Sequence, residues 1–242
     1  MIFKNLFSNK ESSIIKAIDN YIEAGPITLK RMNEVIKKIE KITIKEFDRG
    51  YNLIKKYPRS VSILGSARFK EENIYYKQAE SLAARIVKEL KYAVVTGGGP
   101  GIMEAANKGA YEAGGVSLGI NIKLPKEQSI NKYVTESADF EYFFSRKTIL
   151  FFSAETYVYY PGGFGTLDEF FEITTLIQTK KIPKVPIILV GKKFWEPLLK
   201  LIEEELYEEN ATINKEDMNL YKIVDDEDEI IEIIKRAPYR QE

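Results

Sequence analysis

Two glycine-rich segments carry the residues whose types and spacing suit chemistry on a phosphorylated ligand. The first, Thr96-Gly97-Gly98-Gly99-Pro100-Gly101, follows an apolar run and opens a helical pattern. Its glycines can hold positive φ and let backbone N–H groups approach an anion closely. The second, Pro161-Gly162-Gly163-Phe164-Gly165-Thr166-Leu167-Asp168-Glu169, stands in the same setting. There Gly162, Gly163 and Gly165 offer backbone donors, Thr166 a hydroxyl, and the helix N-terminus a favourable field for phosphate. A second reading of this loop stays open: a tight strand-to-helix turn with Thr166 as N-cap and Glu169 closing a capping box. Two such loops on one sheet edge favour the anion site. Neither is a dinucleotide fingerprint, because counting G-x-G-x-x-G from Gly97 puts Ile102 at the third glycine and leaves Asn121 where a ribose-binding acid is expected. A P-loop G-x-x-x-x-G-K-[ST] is also missing from the sequence.

Composition narrows the chemistry further. The 242 residues include no Cys and no His, which removes disulfides, thiolate nucleophiles, Ser-His-Asp triads and Cys- or His-ligated metals. Acid–base work falls to Asp, Glu, Lys or Tyr, and no metal or cofactor is expected. With 36 Lys+Arg against 36 Asp+Glu there is no long-range attraction for a polyphosphate backbone, so no nucleic-acid partner is expected. Apolar runs such as Thr148–Ala154 and Val185–Val190 are far shorter than the roughly 20 residues of a membrane helix. Charges at Lys4, Lys10 and Glu11 interrupt any signal-peptide pattern. The expectation is a soluble, cytoplasmic protein without a membrane partner.

The elements that must position these loops follow from texture. From Ser12 to about Tyr57 the chain is rich in Lys and Glu, with Leu29, Met32, Ile36 and Ile39 on one helical stripe and Pro26 between two helices. Residues 1–57 read as a helical extension packed on the main domain or on a partner subunit, with Lys30, Arg31, Lys37, Lys38 and Lys41 on a solvated face. From 58 to 242, short apolar runs alternate with helical patterns, the signature of an α/β doubly wound parallel sheet with flanking helices. Strands are expected near Val61–Leu64, Ala93–Thr96, Val116–Ile122, Tyr157–Tyr160, Pro186–Val190 and Tyr221–Val224. Helices are expected at Ile74–Leu90, Gly101–Ala113, Phe143–Ala154, Leu167–Thr179, Trp195–Tyr207 and Glu227–Lys235. Both glycine loops then lie beyond the carboxyl ends of strands, where open sheets bind ligands. The acidic run Asp225–Glu229 suits a helix start.

Pro161-Gly162-Gly163-x-Gly165-Thr166-x-x-Glu169, with Ser145-Arg146-Lys147 on the preceding helix and Gly97-Gly98-Gly99-Pro100-Gly101-Ile102-Met103-Glu104, resembles the LOG family of nucleotide phosphoribohydrolases. The resemblance spans about Ser60 to Lys235 and is closer to the broad bacterial branch. It implies a Rossmann-like fold and hydrolysis of the N-glycosidic bond of purine nucleoside 5′-monophosphates, cytokinin precursors among them. It further implies Glu169 as the ribose carboxylate, held ionised by the helix start, and Arg146 as the electrostatic partner of phosphate or base. Ser66, the glycines of both loops, Met103, Glu104, Lys147 and Thr166 are the implied substrate-binding set, and Asn121 and Pro125 line the base side. Glu172 shares the Glu169 face in this reading, whereas Asp168 points elsewhere. A homodimer with its active site near the interface is implied, and the aromatic residues Phe140, Tyr142, Phe143, Phe144, Phe151 and Phe152 suit either an interface or a stacking surface. The alternative is a nucleotide- or molybdenum-cofactor-binding carrier or sensor of the same fold, without turnover. A decarboxylase would need a lysine in a recognisable pyridoxal phosphate motif, which the sequence does not offer.

Overall fold

Strands that are apolar on both faces need helices on both faces, and the chain supplies them. The computed structural model describes residues 29–123 and 130–238. Seven strands form one sheet: β1 (Ser60–Leu64), β2 (Ala93–Thr96), β3 (Ser117–Ile122), β4 (Glu136–Phe140), β5 (Thr156–Tyr159), β6 (Ile187–Leu189) and β7 (Lys222–Ile223). Their order is β4-β3-β2-β1-β5-β6-β7 and every pairing is parallel. The helices are α1 (Leu29–Ile54), α2 (Ile74–Arg85), α3 (Ile102–Glu112), α4 (Phe143–Phe151), α5 (Phe164–Gln178), α6 (Lys192–Leu201) and α7 (Glu227–Lys235). Wider π turns extend α2 over Ile86–Leu90 and α6 over Ile202–Glu209. The doubly wound α/β expectation is met.

Side-chain alternation along the strands builds two cores. Val61, Ile63, Val94, Val158, Tyr160 and Ile188 face one layer with residues of α2, α3 and α7. Leu64, Val95, Tyr157, Tyr159, Ile187 and Leu189 face the other, against α4, α5 and Trp195. The period of two thus assigns neighbouring residues to opposite layers.

β4 was not expected. Its sequence Glu-Ser-Ala-Asp-Phe buries only Ala138 and Phe140, because an edge strand meets solvent and does not need a continuous apolar run. α1 also differs from expectation. Met32 and Ile36 of the anticipated packing stripe are exposed, and the helix instead docks through its other end, where Leu53 and Ile54 join the core. Lys30, Lys37, Lys38 and Lys41 are exposed. The break expected at Pro26 lies outside the described residues. At α7, Asp226 caps the helix by accepting the Glu229 N–H at 2.8 Å, as the acidic run anticipates.

Candidate active site

The chain runs outward from β1 through β2, β3 and β4, then returns to place β5 on the other side of β1. Loops leaving β1 and β5 therefore diverge at the carboxyl edge, the crevice where open α/β sheets receive ligands. Backbone bonds stitch the three loops there together: Ser66 N–H donates to Pro161 O and Ile102 N–H to Ser66 O, each at 3.0 Å. Gly101 makes this possible. Its φ is +72°, and a Cβ there would lie 2.3 Å from Ser66 O.

A cleft of about 790 Å³ opens above this junction, within the usual range for small-molecule sites. Gly97 from the first glycine loop, Met103 from the start of α3, Gly65 and Ser66 from the β1 turn, Arg146 from α4, and Gly162 through Glu169 line it. Arg146 and Glu169 are both buried and face each other: the Arg146 Nη1 donates to Glu169 Oε1. The Arg146 Nε donates to Ile120 O at 3.0 Å, which orients the guanidinium. Below the pair, the Tyr159 hydroxyl donates to the Glu169 carbonyl at 3.1 Å. Burial, with the nearby Glu169 charge, raises the Tyr159 phenol well above its ordinary value, so it stays a neutral donor.

The first turn of α5 borders the cleft without a side-chain cap. Its leading N–H groups are thus available to an anion. The capping-box expectation is corrected here: Gly163 is the N-cap and Thr166 lies inside the helix, buried, where a Cβ on Gly162 would lie 2.1 Å from its Oγ1. Because α5 starts at Phe164, Glu169 is not in its first turn, and its ionic partner is Arg146 instead of the helix end. Gly163 and Gly165 each have open space where a Cβ would stand.

Not every sequence candidate reaches the cleft wall. Gly98 and Gly99 present their carbonyls to the Asn131 amide at 3.1 and 2.9 Å, so they shape the loop from behind. Asn131 itself is held by Asn107, which also binds Thr96 and Ser117; no sequence pattern signalled this network. Gly101 and Glu104 sit behind the lining, Glu104 on α3 contributing to the field that, after burial, raises the Tyr76 phenol. Lys147 forms ion pairs with Asp168 at 3.1 Å and Glu172 at 2.5 Å. Burial alone lowers its ammonium, and the bonds to Glu172 and Asp168 more than offset that and leave it raised. Glu172 and Asp168, four residues apart, thus share Lys147, so Asp168 does not point away from the Glu172 side of the helix. Asn121 donates to Asp139 at 3.1 Å and is not part of the lining. Pro125 lies outside the described residues.

Sequence reasoning passed over Arg68, Phe69 and Phe194, which complete the wall. Of the aromatic group, Phe140 and Phe151 are core, Phe143 lines the cleft, and Phe143, Phe144 and Phe152 are about half exposed. Among the described residues no cluster could hold a metal ion, and no helix is long and apolar enough to cross a membrane. The cleft lining contains no lysine, so it does not fit pyridoxal phosphate, which needs one for its Schiff base.

Comparison with known proteins places the chain in a family. The family model described as "Possible lysine decarboxylase" matches residues 103–234. The chain is 25% identical over 156 residues to a cytokinin riboside 5′-monophosphate phosphoribohydrolase of Rhodococcoides fascians, covering 62% of this chain and 77% of that one. It is 26% identical over 155 residues to an enzyme of the same description from Arabidopsis thaliana, covering 62% and 71%. Among solved structures, the molybdenum cofactor carrier protein of Chlamydomonas reinhardtii superposes with a TM-score of 0.56 at 22% identity, covering 74% of this chain and 96% of that one. That likeness shows a shared fold. With more than half its length matched by the family model, and with the glycine loops and the Arg146–Glu169 pair assembled at one sheet edge, the chain belongs to the LOG family, the group whose model carries the lysine decarboxylase description.

Proposed function

We propose that this protein hydrolyses the N-glycosidic bond of purine nucleoside 5′-monophosphates, N6-modified ones included, to free base and ribose 5-phosphate. One observation carries the reading: a buried Arg146–Glu169 pair lines a cleft that is also lined by the uncapped, glycine-rich start of the helix carrying Glu169. The 5′-phosphate sits on the N–H groups of Gly163, Phe164, Gly165 and Thr166. Ribose then lies toward Glu169, whose carboxylate stabilises positive charge developing at C1′ as the C1′–N bond lengthens. Water adds to C1′ and gives up a proton, and the base leaves with its bonding pair and takes a proton. Arg146 holds Glu169 and turns toward phosphate or base as charge moves. Gly97, Met103 and Ser66 close the far wall. The catalytic unit on this reading is 58–242 with 1–57 as its helical extension, working in the cytoplasm as a homodimer through the exposed Phe143, Phe144 and Phe152 beside the cleft.

Purified protein incubated with AMP, GMP, CMP and N6-prenylated AMP tests this, with products separated by chromatography. Wild type releases base and ribose 5-phosphate; Glu169→Gln, which keeps a hydrogen-bond acceptor but loses the charge, releases base roughly 100-fold more slowly while still binding AMP. The fold likeness to a molybdenum cofactor carrier supports a second reading, a binding protein without turnover. Intact nucleotides in every tube, with binding detected by calorimetry, select it.

A further inference from the structure

α1 lies outside residues 103–234, yet it grips the helix that carries Arg146. Glu46 on α1 is only 1% exposed. Its Oε1 accepts the Glu141 backbone N–H at 2.5 Å and its Oε2 accepts the Ser145 hydroxyl. Both donors belong to the entrance of α4, whose N-cap Tyr142 supplies no side-chain cap of its own. A carboxylate there satisfies the N–H of the residue just before the N-cap and complements the helix dipole. Four residues along the same face, Gly50 lets the helices touch: a Cβ would lie 2.6 Å from Ile149 Cγ1 and 2.9 Å from Phe140 Cζ. Arg146 follows Ser145 directly, and its bonds to Ile120 O and Glu169 depend on where α4 sits. An apolar residue would serve a mere packing contact better, since a buried carboxylate is costly unless its hydrogen bonds matter.

The geometry points to Glu46 as a positioning residue: from outside the matched region it fixes the start of α4 and, through it, the Arg146 guanidinium, making α1 part of the catalytic unit. The kinetic arm rests on the phosphoribohydrolase reading; the spectroscopic arm does not. In the full-length protein, the Arg146 Nε–H resonance is assigned by its loss in Arg146→Lys. In Glu46→Ala its hydrogen exchange accelerates about tenfold relative to β1 backbone amides. With AMP, kcat falls about 10- to 100-fold with little change in KM. Glu46→Gln restores both, because it keeps one acceptor and the Ser145 hydroxyl can accept from its amide. Glu46→Ala combined with Arg146→Lys is no slower than Arg146→Lys alone, since the two act through one group. Should Glu46→Ala fail to fold, Ser145→Ala breaks the same link and shows the same direction. An unchanged Nε–H signal in a folded variant, exchange accelerated equally everywhere, or a double variant whose losses add would each overturn the proposal. A wild type that releases no base removes the hydrolase reading and leaves the resonance to decide this one.

Discussion

Arg146 and Glu169 make each other's burial tolerable. Removing one partner leaves an uncompensated buried charge, so Arg146→Ala destabilises by about 3–5 kcal/mol. Replacing both by apolar residues of similar volume, Arg146→Met with Glu169→Leu, costs less than the single change, and urea unfolding of the three proteins reads the difference directly. A double variant that loses more than Arg146→Ala, as independent sites would, would mean that the pair is not coupled. Base release is absent from both variants under the proposed reaction. The pair was legible in the sequence only through the resemblance, since an Arg beside Lys147 on a surface helix has no feature that marks it as buried. Lys147, its neighbour, took the ordinary course and paired with Asp168 and Glu172 on the outer face.

Among the loops, glycines of one motif do different work, and substitution separates them. Gly101 holds φ +72° against the Ser66 carbonyl, so Gly101→Ala is strained twice over and lowers stability by about 1–3 kcal/mol. Gly163 and Gly165 have ordinary room for a Cβ, and Gly165 lies within α5. Gly165→Ala therefore leaves the melting temperature unchanged or raises it, with a gain of about 0.4–1 kcal/mol from the less flexible unfolded chain. Both Gly163→Ala and Gly165→Ala nevertheless weaken AMP binding by calorimetry, because their methyl groups project where the phosphate lies. Undiminished affinity in both would move the phosphate away from this turn. The two strand–loop–helix units were visible as spacing. The start of α5 was not, because a Thr and a Glu three apart read as a capping box, whereas packing of Thr166 against Gly162 drew the helix three residues further back.

Across the whole molecule, the far end of α1 is tied to the edge of the sheet. Lys56 and Tyr57 both donate to Glu136 on β4, Lys56 at 2.7 Å. The bond to Glu136 pushes the Tyr57 phenol up to about 12, and Lys56 and then Tyr57 hold the Glu136 carboxyl below its ordinary 4.5. A carboxyl depressed in the folded state contributes stability that is fully present above its unfolded value and fades as pH falls through the folded one. Acid unfolding of wild type therefore steepens below pH 4.5, and Glu136→Gln flattens that limb and lowers neutral stability by the same small amount that wild type loses in acid. Identical acid limbs for the two proteins would dismiss the tie.

What the sequence determined by itself was the alternation of buried strands and helices, because apolar period and glycine placement are local and survive any arrangement of the elements. It also located both glycine loops at strand ends. The tertiary structure decided the strand order, and with it which loops meet: β5 inserted beside β1 opens the crevice, brings Glu169 to Arg146, and sends Asn131 and Glu46 to support the site from distant segments. Those contacts join residues up to 99 positions apart, and polar residues at such separations leave no periodic mark in a chain.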